Sequence, residues 1–112
     1  MAYDEDLADR IRELVGREPG LAEKTMFGGL AFLLDGNMAV AASGQGGLLV
    51  RVDPAEGEGL VGRGGAEPMV MRGREMAGWL RVPTESVTRK RELATWVARG
   101  VTFARTLPAK QP

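Results

Sequence analysis

Hydrophobic positions along the chain follow two different periods, and the switch between them divides it. Leu7, Ile11, Leu14 and Val15 recur at helical spacing behind Asp4, Glu5 and Asp6, acidic side chains that suit the N-cap and first turn of a helix. The spacing predicts a helix from Asp4 to about Val15, ended by Gly16 and kept from continuing by Pro19-Gly20. Between Lys24 and Val52 the pattern changes. Short apolar runs are broken by Gly28-Gly29, Asp35-Gly36 and Gly44 to Gly47, the turn signals of a β-meander of three or four antiparallel strands.

Beyond Val52, Asp53-Pro54 pairs a capping side chain with the residue best suited to a first helical position. A short helix is predicted from Pro54 to about Val61, weakened by Gly57 and Gly59 and followed by a loop over Gly62 to Gly65. Met69-Val70-Met71 and Trp79-Leu80-Arg81-Val82 read as two more strands, joined through Arg72-Gly73-Arg74-Glu75. From about Thr88, Leu93, Trp96, Val97, Val101 and Ala104 fall three and four apart, which predicts a long helix to about Arg105. Residues 107–112 read as a frayed tail. The order implies a two-layer α+β fold: an antiparallel sheet of five or six strands with helices on one face, in a single domain over 1–112.

Two registers are open at Asp35-Gly36. A two-residue type I′ turn pairs Leu34 with Asn37, whereas a three-residue loop pairs Leu34 with Met38. A slip of one residue sends every side chain to the opposite face. Ala31, Leu33, Ala39 and Ala41 form the row on the face away from Phe32, and this row is too apolar for a fully solvated sheet surface. Either the chain's own helices cover it or a partner subunit does.

The 112 residues carry 15 basic and 15 acidic side chains and neither cysteine nor histidine. The balance removes any global field toward nucleic acid or membrane. Without cysteine and histidine, disulfides, thiolate catalysis and the commonest metal ligands and neutral-pH bases are excluded. No metal or cofactor is expected. The acidic start lacks the features of a signal peptide, and the longest apolar run, Leu30 to Leu34, is far short of a membrane span. A cytoplasmic protein is expected.

The glycine-rich stretches Gly44 to Gly47 and Gly62 to Gly65 do not precede a helix as a phosphate loop does. The acidic groups Asp4-Glu5-Asp6 and Asp53, Glu56, Glu58 are explained by helix capping, without the ligand spacing of a calcium loop. Arg51, Arg72, Arg74 and Arg81, with Trp79 able to stack on a base, are the candidate nucleic-acid surface. Trp79 and Trp96 otherwise read as core anchors, and Met26, Met69, Met71 and Met76 as core filler.

Taken in order, Met1-Ala2-Tyr3 with an acidic first helix, Lys24-Thr25-Met26-Phe27-Gly28-Gly29-Leu30-Ala31-Phe32, Asp35-Gly36-Asn37-Met38, Leu49-Val50-Arg51-Val52, Trp79-Leu80-Arg81-Val82 and a terminal helix with Trp96 before Phe103-Ala104 resemble the TfoX N-terminal domain family, named for a regulator of natural competence. The resemblance implies a secretion-chaperone-like antiparallel α+β domain without a catalytic constellation. Competence regulators of this type carry a further helical domain, so this chain reads as a stand-alone N-terminal domain. The expected function is that of a non-enzymatic regulatory module acting through protein contacts, with direct nucleic-acid binding as the alternative. Likeness to chaperone-like folds that often pair, together with the apolar row, adds the expectation of a homodimer.

Overall fold

Asp4 starts the first helix as its position implies, its carboxylate accepting from the amides of Asp6 (2.9 Å) and Leu7 (3.1 Å). The computed structural model describes residues 3–26, 28–61 and 65–110. In it α1 (Glu5–Val15) is followed by β1 (Leu21–Met26), β2 (Gly29–Leu34), β3 (Asn37–Ala42), β4 (Leu48–Arg51), α2 (Pro54–Leu60), β5 (Glu67–Met71), β6 (Arg74–Val82) and α3 (Lys90–Thr106), with one 3-10 turn at Thr84–Ser86. The meander therefore has four strands, and its first begins at Leu21, ahead of the apolar pattern, because β1 is an exposed and largely polar edge. Phe27 and the predicted loop at Gly62 to Gly64 lie outside the described residues.

All six strands pair antiparallel in the order β1-β2-β3-β4-β6-β5. The two-layer α+β arrangement expected from the pattern is the one observed. Phe32, Val40, Val50 and Leu80 from one face of the sheet meet Ile11 and Val15 of α1 and Leu93, Trp96 and Val97 of α3. Burying each large apolar side chain of this kind contributes about 1.5 to 3 kcal/mol, so this layer holds the fold. Asp53 caps α2 through the Ala55 amide (2.9 Å), and Leu60 and Val61 at its far end lean on the same core.

The β2–β3 connection realises both registers that the sequence leaves open. Asp35 and Gly36 take φ of 50° and 84° and close a two-residue turn with Leu34 opposite Asn37 and Leu33 opposite Met38. The ladder then shifts: Phe32 pairs with Val40 and Ala31 with Ala41, so Ala39 is the extra residue of a β-bulge. Beyond the bulge the pairing is that of the alternative register, which sets Leu30, Phe32, Val40 and Ala42 together on the core face.

Two other expectations change. The β5–β6 turn is Arg72-Gly73 alone, both in the left-handed region, so Arg74 and Glu75 already belong to β6 and pair with Met71 and Val70. The tail is tied down as far as Lys110, whose amide donates to Asp35 O (2.8 Å), while the buried Asn37 amide donates to Pro108 O (2.9 Å). Only Gln111 and Pro112 of the predicted frayed segment lie outside the described residues. Asn37, a polar residue in a strand with no solvent to satisfy it, is what draws the tail in.

Candidate functional site

The bulge at Ala39 decides what the second face of the sheet presents. Ala31, Leu33 and Ala41 lie on it as the alternation predicts, but Ala39 does not. The extra residue inverts the alternation, sends Ala39 toward α3 beside Ala104, and puts Met38 into the row in its place. Ala31 is 1% exposed, Ala41 5% and Met38 8%, and the cluster they form takes in Met26, Leu33, Leu49 and Trp79 without one helical residue. The helices cover the opposite face. Among the described residues, the members of this cluster all come from the strands.

A hollow of about 340 Å³ on this face is lined from both edges of the sheet. Met26 of β1 stands on one side and Met69 and Val70 of β5 on the other, over a floor that includes Ala31, Met38, Ala41 and Leu49. Among the described residues two charged side chains line it, Arg72 from the β5–β6 turn and Arg81 from β6, and no carboxylate does. Arg81 donates to Ser43 Oγ and Gly46 O, both at 3.3 Å, so its guanidinium is held across the β3–β4 loop by neutral acceptors. Glu67, opposite Arg81 in the ladder, lies outside the lining.

The four arginines do not make one surface. The Arg51 guanidinium carbon lies 5.0 Å from the Trp79 ring centroid and 5.7 Å from that of Phe103, an internal cation–π stack that occupies the aromatic ring considered for a base. Arg74 is exposed and outside the hollow, leaving Arg72 and Arg81 together. Of the methionines read as core filler, Met26 and Met69 line the hollow and Met76 is 37% exposed; the Met71 side chain lies outside the described residues. Trp79 is half-buried on the open face, whereas Trp96 is buried in the core as predicted.

The segments behind the family resemblance serve this architecture: Asp35-Gly36 turns β2 into β3, Asn37 anchors the tail, and Leu49 to Val52 and Trp79 to Val82 are the paired centre of the sheet. The TfoX N-terminal domain profile matches residues 13–104. The chain belongs to the TfoX N-terminal domain family. No curated protein and no solved structure matches it. In this TfoX N-terminal domain the acidic groups act locally, with Asp4 and Asp53 as caps. Among the described residues no cluster of three or more Asp or Glu is placed to hold a metal ion, and no helix is long and apolar enough to cross a membrane.

A larger hollow, about 570 Å³, runs between α2 and α3 beside Asp53, Glu56, Thr95, Arg99 and Thr102. Phe103, the aromatic among its described lining residues, is engaged by Arg51, and Arg99 stacks 4.5 Å over Trp96. It is a furrow between two helices, and the carboxylate of Asp53 within it already caps α2. The open sheet face is the better site. Sequence reasoning found Ala31 and Ala41 and both arginines, but missed Met26, Met38, Ala42 and Met69 and wrongly included Ala39, since the bulge has no residue signature here.

Proposed function

We propose that this TfoX N-terminal domain is a non-catalytic, cytoplasmic interaction module of regulatory type, binding a protein partner through the open face of its sheet. One observation carries the reading: a hollow lined by methionines over an alanine floor, on a face that none of the chain's helices covers. Methionine linings adapt to differently shaped partners, and apolar concavities of this kind mark contact sites on soluble domains. Nucleic-acid binding has less support, because Arg51 and Trp79 are engaged with each other and Arg74 stands apart.

The test is capture of the tagged domain from its own cells with wild type and Leu33→Asp in parallel, proteins and nucleic acid both identified. Leu33 is half-buried on the open face, so the charge falls beside the hollow and outside the main core. The expected result is a protein recovered with wild type and lost with the variant, in nuclease-treated extract. Recovery of nucleic acid alone, equal in both, rejects the reading.

A further inference from the structure

Resting on that reading, we infer that the partner segment is acidic, sending one or two bulky apolar side chains into the hollow and placing carboxylates against Arg72 and Arg81. The charge of the lining is one-sided: among the fourteen described residues that line it are two arginines and no aspartate or glutamate, although the chain as a whole carries 15 acidic and 15 basic residues. Neither arginine makes an ion pair among the described residues, whereas Arg12 and Arg105 both do. Arg81 is also pre-positioned. Its contacts to Ser43 Oγ and Gly46 O use two of its five N–H groups, so the remainder can receive a carboxylate with part of the ordering already done.

The volume limits what can enter. At about 340 Å³ the hollow is at the small end of ligand-sized sites, suited to one or two anchor side chains with the rest of the segment lying across the mouth. A basic segment would leave both guanidinium groups facing like charge, and a wholly apolar one would leave them without a partner where it displaces water. Alternation of large apolar and acidic residues satisfies the floor and the arginines together.

The test uses the full chain and two short acetylated peptides, one alternating Leu and Phe with Glu, the other carrying Lys in place of each Glu. Methionine methyl NMR reads the site directly, with Met26, Met38 and Met69 as reporters and the exposed Met76, outside the hollow, as control. The acidic peptide should shift the three reporter methyls and not Met76. Arg72→Gln and Arg81→Gln should each weaken it about ten-fold, the loss expected for one charge-assisted hydrogen bond. Both positions are open to solvent at least in part, and an unchanged urea midpoint verifies that each variant folds. Affinity should also fall as salt is raised. Equal binding of the lysine peptide, indifference to both substitutions, or no reporter shift with the acidic peptide overturns the inference. Each of these outcomes leaves the capture experiment with Leu33→Asp free to succeed, so failure here and failure of the interaction reading are separable.

Discussion

Glu23 sits on the edge strand β1, where Arg12 of α1 grips it with both forks of the guanidinium, Nε to Oε2 at 2.7 Å and Nη2 to Oε1 at 2.9 Å. The hydrogen bonds from Arg12 hold the Glu23 carboxyl below its ordinary range. A folded value below the unfolded one means that the pair's contribution is complete above the unfolded value and is lost as pH falls through the folded one. Both side chains are substantially exposed, so solvent screens the pair and its effect on stability is small. The expected outcome in a carboxyl-detected NMR titration is a Glu23 midpoint below that of ordinary glutamates, returning to it in Arg12→Gln; identical midpoints in the two proteins reject the assignment. Gly36 is the other informative residue. At φ 84°, with Lys110 Cβ only 2.7 Å from where a side chain would begin, Gly36→Ala should cost about 1 to 3 kcal/mol in urea unfolding and speed amide exchange at Lys110. The turn was legible from Asp35-Gly36 itself. The hold on the tail was not, because nothing in a strand sequence announces that Asn37 is buried and needs Pro108.

At the scale of elements, helices were legible and strand registers were not. The apolar periods and the Asp4 and Asp53 caps locate α1 and α2 closely, and α3 within a residue or two, because each signal is local. The bulge at Ala39 lies where α3 packs against β3, a contact between segments far apart in sequence. There Gly100 lies so close to the sheet that an added Cβ would collide with Ala39 O and come within 2.9 Å of Val40 Cγ1. Strict alternation puts Ala39 on the open face, and the bulge reverses it. Gly100→Ala should therefore destabilise by about 1 to 3 kcal/mol although Ala is the better helix former, the sign being set by overpacking. A urea midpoint that rises in this variant removes the close approach. Trp96, 5% exposed in the core between α3 and the sheet, should cost about 3 to 5 kcal/mol on truncation to Ala, and an unchanged midpoint would put it at the surface.

For the whole molecule the outstanding question is whether its open face pairs with itself, as the homodimer expected from the sequence requires. A two-fold contact sets a surface against its own copy. Through the hollow it would bring Arg72 and Arg81 of each copy toward the same pair on the other, with no carboxylate among the described lining residues to offset them. Such a contact is opposed at low ionic strength and relieved as salt screens the charges, the reverse of the dependence expected for an acidic partner. The edges of the sheet offer little more: β1 carries Glu23 and Lys24, and β5 carries Pro68, residues that discourage edge-to-edge pairing. Light scattering over a range of concentrations should accordingly give a monomer at low salt. Any association should grow with salt and disappear in Leu33→Asp, whose carboxylate enters the apolar cluster between Met38 and Ala31. A wild-type dimer at low salt that Leu33→Asp dissolves would make a second copy of this chain the occupant of the open face. A dimer at low salt that survives the substitution would move self-pairing to another surface and leave the hollow free for an acidic partner.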